Sequence, residues 1–149
     1  MEMSISQAKR DYHALLNLSY LLVSFPAGKL SDRVGRRFPL SAGYFLTALS
    51  LFTLSLHSGI VLLTASFLLY GLALGITDTV QRALTADIVG KERRGTAYGL
   101  FHGVTGVGAL LGNLLAGYLW NLYGNISFAL FGVLCIMATI FLNVVDSQN

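Results

Sequence analysis

Asp78 and Arg82 stand four residues apart near the end of a long apolar run, GIVLLTASFLLYGLALGITDTVQRAL (59–84). On a helix that spacing sets carboxylate and guanidinium side by side, in the order that suits an ion pair. An ionisable side chain inside a membrane span costs about 2.5–3.5 kcal/mol on insertion scales, which makes it a functional candidate by default. The chemistry open to such a pair is the handling of charge, by holding a solute or passing a proton. The plain alternative is a structural pair, since Arg82 lies near the helix end and can snorkel to headgroups. Gln81 stands beside them, and Tyr70 and Thr77 precede them. His102, in the next apolar run, is a residue type that titrates near neutrality, although a satisfied packing histidine explains it as well. In the first run His13, Asn17, Tyr20 and Ser24 follow a 4, 3, 4 spacing and share one helical face. Such a face points to a cavity or to another helix; interhelical hydrogen bonds there are worth about 1 kcal/mol or less each. The candidates for solute binding or coupling are thus Asp78, Gln81, Arg82, His102, Asn17 and Tyr20.

No nucleophile–base pair and no metal-ligand cluster stands out in the sequence, so an enzyme, a metal site and a cofactor are all unexpected. The glycines at 103, 106 and 108 give the order G-x-x-G-x-G, with no strand before them and an apolar run around them, which rules out a nucleotide-binding fingerprint. Cys135 is the single cysteine and reads as a small core residue.

The elements that position these residues follow from composition. Of 149 residues 54% are hydrophobic and 11% charged, against about 25% charged in a soluble domain. The mean hydropathy is +0.66. The chain reads as an all-α integral membrane protein of five spans, about 11–30, 38–57, 59–82, 95–121 and 125–145. Roughly 20 residues cross a bilayer as a helix, and only helices satisfy the backbone within a single segment there. A pI near 9.2 suggests nucleic acid at first sight. Eight of the ten Lys and Arg, however, lie in two blocks, 29–37 and 82–94. That clustering at alternate helix ends marks the cytoplasmic side, and no nucleic-acid partner is expected. The turns at His57-Ser58-Gly59 and Leu122–Gly124 carry no Lys or Arg and are expected outside. The C-terminus is then expected in the cytoplasm and the N-terminus outside, where Lys9 and Arg10 run against the rule. The first ten residues are polar, and no short apolar core with a cleavage site follows them.

Small residues recur four apart at Gly71–Gly75, Gly99–Gly103 and Gly108–Gly112, a pattern that lets helices pack closely. The second span has hydroxyls and no charge, and such hydroxyls usually bond back to their own helix. The fifth is almost wholly apolar. Both are expected to be peripheral and lipid-facing. A sequon at Asn125–Ser127 hugs the membrane and reads as chance.

Between the first two spans lies GKLSDRVGRRFPL, from Gly28 to Leu40. One acid, Asp32, sits among Lys29, Arg33, Arg36 and Arg37. Gly35 suits the left-handed residue of a tight turn, and Asp32 can pair with a loop arginine or accept from a helix N-terminus. The spacing at Gly28, Leu30, Asp32, Arg33, Gly35, Arg36, Arg37 and Leu40 resembles the cytoplasmic loop signature of the major facilitator superfamily of secondary transporters. The stretch Gly71–Trp120 is similar to helices ten and eleven of bacterial drug- and metabolite-exporting facilitators, although these often have an acid at the position of Gln81 and proline at that of Gly90.

The resemblance implies the transporter fold, with these spans as helices eight to twelve, the C-terminal half lacking its first helix. Helices two to six are the alternative register. It implies secondary transport of a small solute by alternating access, proton-coupled efflux among the options, in a bacterial plasma (inner) membrane. It also implies that the signature loop latches the cytoplasmic side, with the partner helix of Asp32 in the other half. A basic loop that only holds topology is the plain alternative. The expected partners are the lipid bilayer, a small solute, and either a missing N-terminal half or a second copy. A truncated non-transporting remnant, or a scaffold or half-subunit needing a partner, stays open beside the transporter reading.

Overall fold

The computed structural model describes residues 5–56, 59–89 and 91–146. Its helices are α1 Ile5–Val34, α2 Arg37–Ser55, α3 Gly59–Ile88, α4 Arg94–Tyr123 and α5 Ile126–Asp146, with a 3-10 turn at Lys91–Arg93. Among the described residues there is no strand. The expected outer turn at His57-Ser58, Gly90 and residues 147–149 lie outside the described residues.

Four of the helical stretches are long and apolar enough to cross a membrane: Arg37–Ser55, Gly59–Ile88, Lys91–Tyr123 and Ile126–Val144. The sequence reading counts α1 as a fifth span. It is as long as α3, but Asp11, His13 and Asn17 make it too polar for that group, so its polar face needs protein or water beside it. α3 also runs to Ile88, past the end expected at Arg82. No glycine or proline interrupts 82–88, so nothing breaks the helix there.

Gly35, at φ +89°, makes the sharp turn from α1 into α2. Gly124, at φ +54°, closes α4 by donating its N–H to the Trp120 carbonyl at 2.9 Å.

The helices pack in a row, α1–α3–α2–α5, with α4 lying loosely against α3 and α5. Each tight contact uses a glycine. A Cβ at Gly71 would fall 2.5 Å from the Leu16 carbonyl oxygen, and one at Gly75 would fall 2.7 Å from that of Tyr20 and onto Val23. Gly43 of α2 similarly meets Thr77 of α3, and Gly132 of α5 faces the Phe52 ring at 3.2 Å. In lipid, where apolar attraction between helices is weak, such close backbone approach is what holds helices together.

Two expectations need correction. α2 is not peripheral, because it buries Pro39, Leu40, Gly43, Ala48 and Ser50 between α3 and α5, although Phe38, Phe45 and Leu49 stay exposed. Thr47 and Thr53 bond back to their own helix at 3.0 and 2.7 Å, but Ser50 donates across to the Ser66 carbonyl of α3 at 2.8 Å. Secondly, a Cβ at Gly99, Gly103, Gly108 or Gly112 would meet nothing within 4 Å. Whatever close packing these glycines permit is therefore not made among the described residues, and α4 has no buried residue.

These contrasts predict that Gly75→Ala destabilises the purified protein by about 1–3 kcal/mol, the usual range for overpacking. Gly103→Ala should leave stability unchanged or raise it, since alanine is the better helix former. Thermal unfolding in detergent measures both; equal losses would contradict the α1–α3 contact.

Candidate functional site

The close approach of α1 to α3 delivers Tyr20 to Asp78. The Tyr20 hydroxyl donates to Asp78 Oδ2 at 2.7 Å. Arg82 donates to the same carboxylate through Nη2 at 2.7 Å and Nε at 3.3 Å. One turn of α3 thus holds a carboxylate with a phenol on one side and a guanidinium on the other. Neighbouring helices join this turn. Gln81 Nε2 donates to the Tyr44 hydroxyl of α2 at 2.8 Å, and the Tyr98 hydroxyl of α4 donates to the Arg82 carbonyl at 3.0 Å.

Residues 78–82 therefore touch α1, α2 and α4. The carboxylate side chain is 31% exposed and the guanidinium 55%, so the pair stands at an open face. Such a group can hold a charged solute or exchange a proton without leaving its partners.

Not every expected residue reaches this place. Asn17 is exposed, and its side chain has no hydrogen-bond partner among the described residues. His102 stacks on Tyr98 and meets Phe101 edge-on, with ring centroids 6.5 and 5.2 Å away, and does not meet Asp78. Tyr44 was not legible as a partner, because a lone phenol in an apolar helix carries no spacing signal.

The second cluster lies at the basic end. Arg36 forms an ion pair with Asp32, donates to the Ser31 hydroxyl at 2.7 Å, and reaches Asp87 of α3 through Nε at 2.8 Å. Asp32 thus pairs with a loop arginine, as its position allows, and Arg36 bridges on to α3. Asp87 was missed because it lies 51 residues from Arg36 and beyond the end expected for the third span.

The hydrogen bond to Asp87 raises the Arg36 pKa above its ordinary value, and the Asp32 bond adds to this while burial opposes it. With the folded value above the unfolded one, the stabilisation is fully present below the unfolded pKa and is lost only as pH rises through the folded value. Both lie in the strongly alkaline range.

Of the remaining signature residues, Lys29 sits 4.4 Å over the Phe25 ring, and a Cβ at Gly28 would meet Thr79 at an ordinary 3.5 Å. Arg33 and Arg37 are exposed. Among the described residues no group of three or more His, Cys, Asp or Glu could hold a metal ion.

The family description that matches this chain is Major Facilitator Superfamily, over residues 13–148. The chain belongs to the major facilitator superfamily. The relatives it matches are named as transporters and an exchanger, which points away from an enzyme. An MFS-type transporter of Methanocaldococcus jannaschii is 33% identical over 130 residues, covering 87% of this chain and 33% of that protein. The mouse glucose-6-phosphate exchanger is 32% identical over 139 residues, covering 85% of this chain and 28% of the exchanger. A second M. jannaschii MFS-type transporter is 26% identical, with 74% of this chain and 28% of its own length covered. The chain thus spans a third or less of the length of these relatives.

A double-mutant cycle tests the basic cluster. Arg36→Gln and Asp87→Asn should show a coupling of about 0.2–1 kcal/mol, the range for partly exposed pairs. The Arg36 contribution should persist from neutral pH well into the alkaline range. Additive losses in thermal unfolding would mean that the bridge contributes nothing.

Proposed function

We propose that this facilitator chain forms one part of a secondary transporter that moves a small solute by alternating access in a bacterial plasma membrane. The observation that carries the reading is the Tyr20–Asp78–Arg82 group, an ionisable cluster set in apolar helices on an open face. In this reading Asp78 binds the solute or couples its movement to protons, and α1, α3 and α4 line the path. Arg36, with Asp32 and Asp87, acts as the latch on the cytoplasmic side, where the two basic blocks lie. The C-terminus is on that side too.

The chain then works with further helices, supplied by an N-terminal half or by a second copy. The relatives' threefold greater length and the uncovered α4 support this. The same observations favour a second reading, a half-subunit that transports nothing until it is joined. Organic phosphates are the first solutes to assay, because a relative is named a glucose-6-phosphate exchanger and Arg82 offers a guanidinium at the open face.

Solute uptake into membrane vesicles containing the chain tests this. Asp78→Asn should abolish gradient-driven uptake at unchanged protein level, and Asp32→Asn should slow turnover more than it weakens binding. Full uptake by Asp78→Asn would remove the coupling role, and unchanged turnover in Asp32→Asn would remove the latch.

A further inference from the structure

Nearer the start of α3 than the Asp78 group lies a cavity of about 480 Å³, walled by residues of α2, α3, α4 and α5 and by none of α1. That volume falls within the roughly 300–1,000 Å³ typical of small-molecule sites. Its lining carries no charge.

Apolar side chains line the cavity throughout, Phe67, Ala109 and Cys135 among them, and its unbonded polar groups lie at one depth. Leu51, Leu54 and the rings of Phe128 and Phe131 line it near the helix ends remote from the basic loops. Tyr70 and Asn113 line it deeper. They stand ten or eleven residues in from those ends, roughly 15 Å along the helices and near the middle of a hydrocarbon core about 30 Å thick.

The hydroxyls of Ser50 and Ser66 are already used, on the carbonyls of Ser66 and Leu62 at 2.8 Å each. The Asn113 amide and the Tyr70 hydroxyl belong to residues that stay exposed, so a ligand can reach them, and they have no partner among the described residues. At that depth lipid supplies no hydrogen bonds, and a polar group left unpaired there is costly.

We infer that this cavity binds an uncharged small molecule with an apolar body and a single hydrogen-bonding end. The body lies among Phe128, Phe131, Leu51 and Leu54, and the hydroxyl or amide end reaches Asn113 and Tyr70. A phospholipid fits less well, since its headgroup would stay at the surface and its chain would meet the polar end. The site shares no residue with the Asp78 group and does not depend on the transport reading.

Photolabelling of the chain in membrane vesicles with 4-(hydroxymethyl)benzophenone, followed by peptide mapping, tests this. Adducts should concentrate on Phe128 and Phe131 over Val133 and Met137, which face outward on the same helix. Gly112 lines the cavity, and a side chain added there meets nothing within 4 Å, so Gly112→Phe should fill the space and bring Phe128 and Phe131 down to the Val133 level. Asn113→Leu and the milder Tyr70→Phe should each lower labelling about fivefold, as expected for one lost hydrogen bond. Benzyl alcohol should compete and toluene at equal concentration should not. Even labelling along α5, or full labelling of Gly112→Phe, would overturn the site. Loss in Gly112→Phe with no effect of Asn113→Leu or Tyr70→Phe would overturn the polar recognition and leave a cavity for a lipid chain.

Discussion

The approach of α1 to α3 at Gly71 and Gly75 is the constraint on which the rest depends. The two backbones are so close that no side chain fits between them. That distance lets a phenol on α1 hydrogen-bond to a carboxylate on α3, and without it Asp78 would keep only Arg82. In hydrocarbon a charge with one partner is costly, whereas one held on two sides is tolerable. A packing feature thus sets the electrostatics of the candidate site.

α3 then acts as the strut of the assembly. It carries Asp78 and Arg82 within the bundle and Asp87 at the basic end, nine residues on and roughly 13 Å along one rigid helix. Sliding α3 against α1 would disturb the Tyr20 bond, and tilting it from the α1–α2 turn would disturb the Arg36 bridge. One helix thus carries both clusters at a fixed spacing. α4, attached through the Tyr98 hydroxyl and a few side chains, is the least closely packed of the helices. Its bare glycines suit a surface meant to meet further helices.

Much of this was legible in the sequence. Span-length apolar runs, basic blocks between them and the loop from Gly28 to Leu40 pointed to the all-α membrane fold and to its family. The i, i+4 spacing located the Asp78–Arg82 pair. What escaped was long-range. Neither Asp87 nor Tyr44 has a periodic relation to the residue it meets, and their pairing follows only from how α2 crosses α3. The placement of α2 was misread for a related reason. Its hydroxyls and lack of charge suit lipid as well as they suit a helix interface, and Gly43 and Gly132 decide the matter in three dimensions. The glycines of α4 were legible as a packing pattern, but periodicity does not say which surface they meet.

The central claim is that the α1–α3 face carrying Asp78 lines a water-filled path and is not lipid-exposed. Substituted-cysteine accessibility tests it most directly. With Cys135 replaced by serine, a single cysteine is placed at Asn17, on the polar face of α1, and another at Val133 on α5. Each is then challenged with a membrane-impermeant cationic thiol reagent. The account predicts rapid modification at position 17 and none at position 133. Inertness at both positions would mean that lipid or a permanently packed helix covers that face, and would contradict the account.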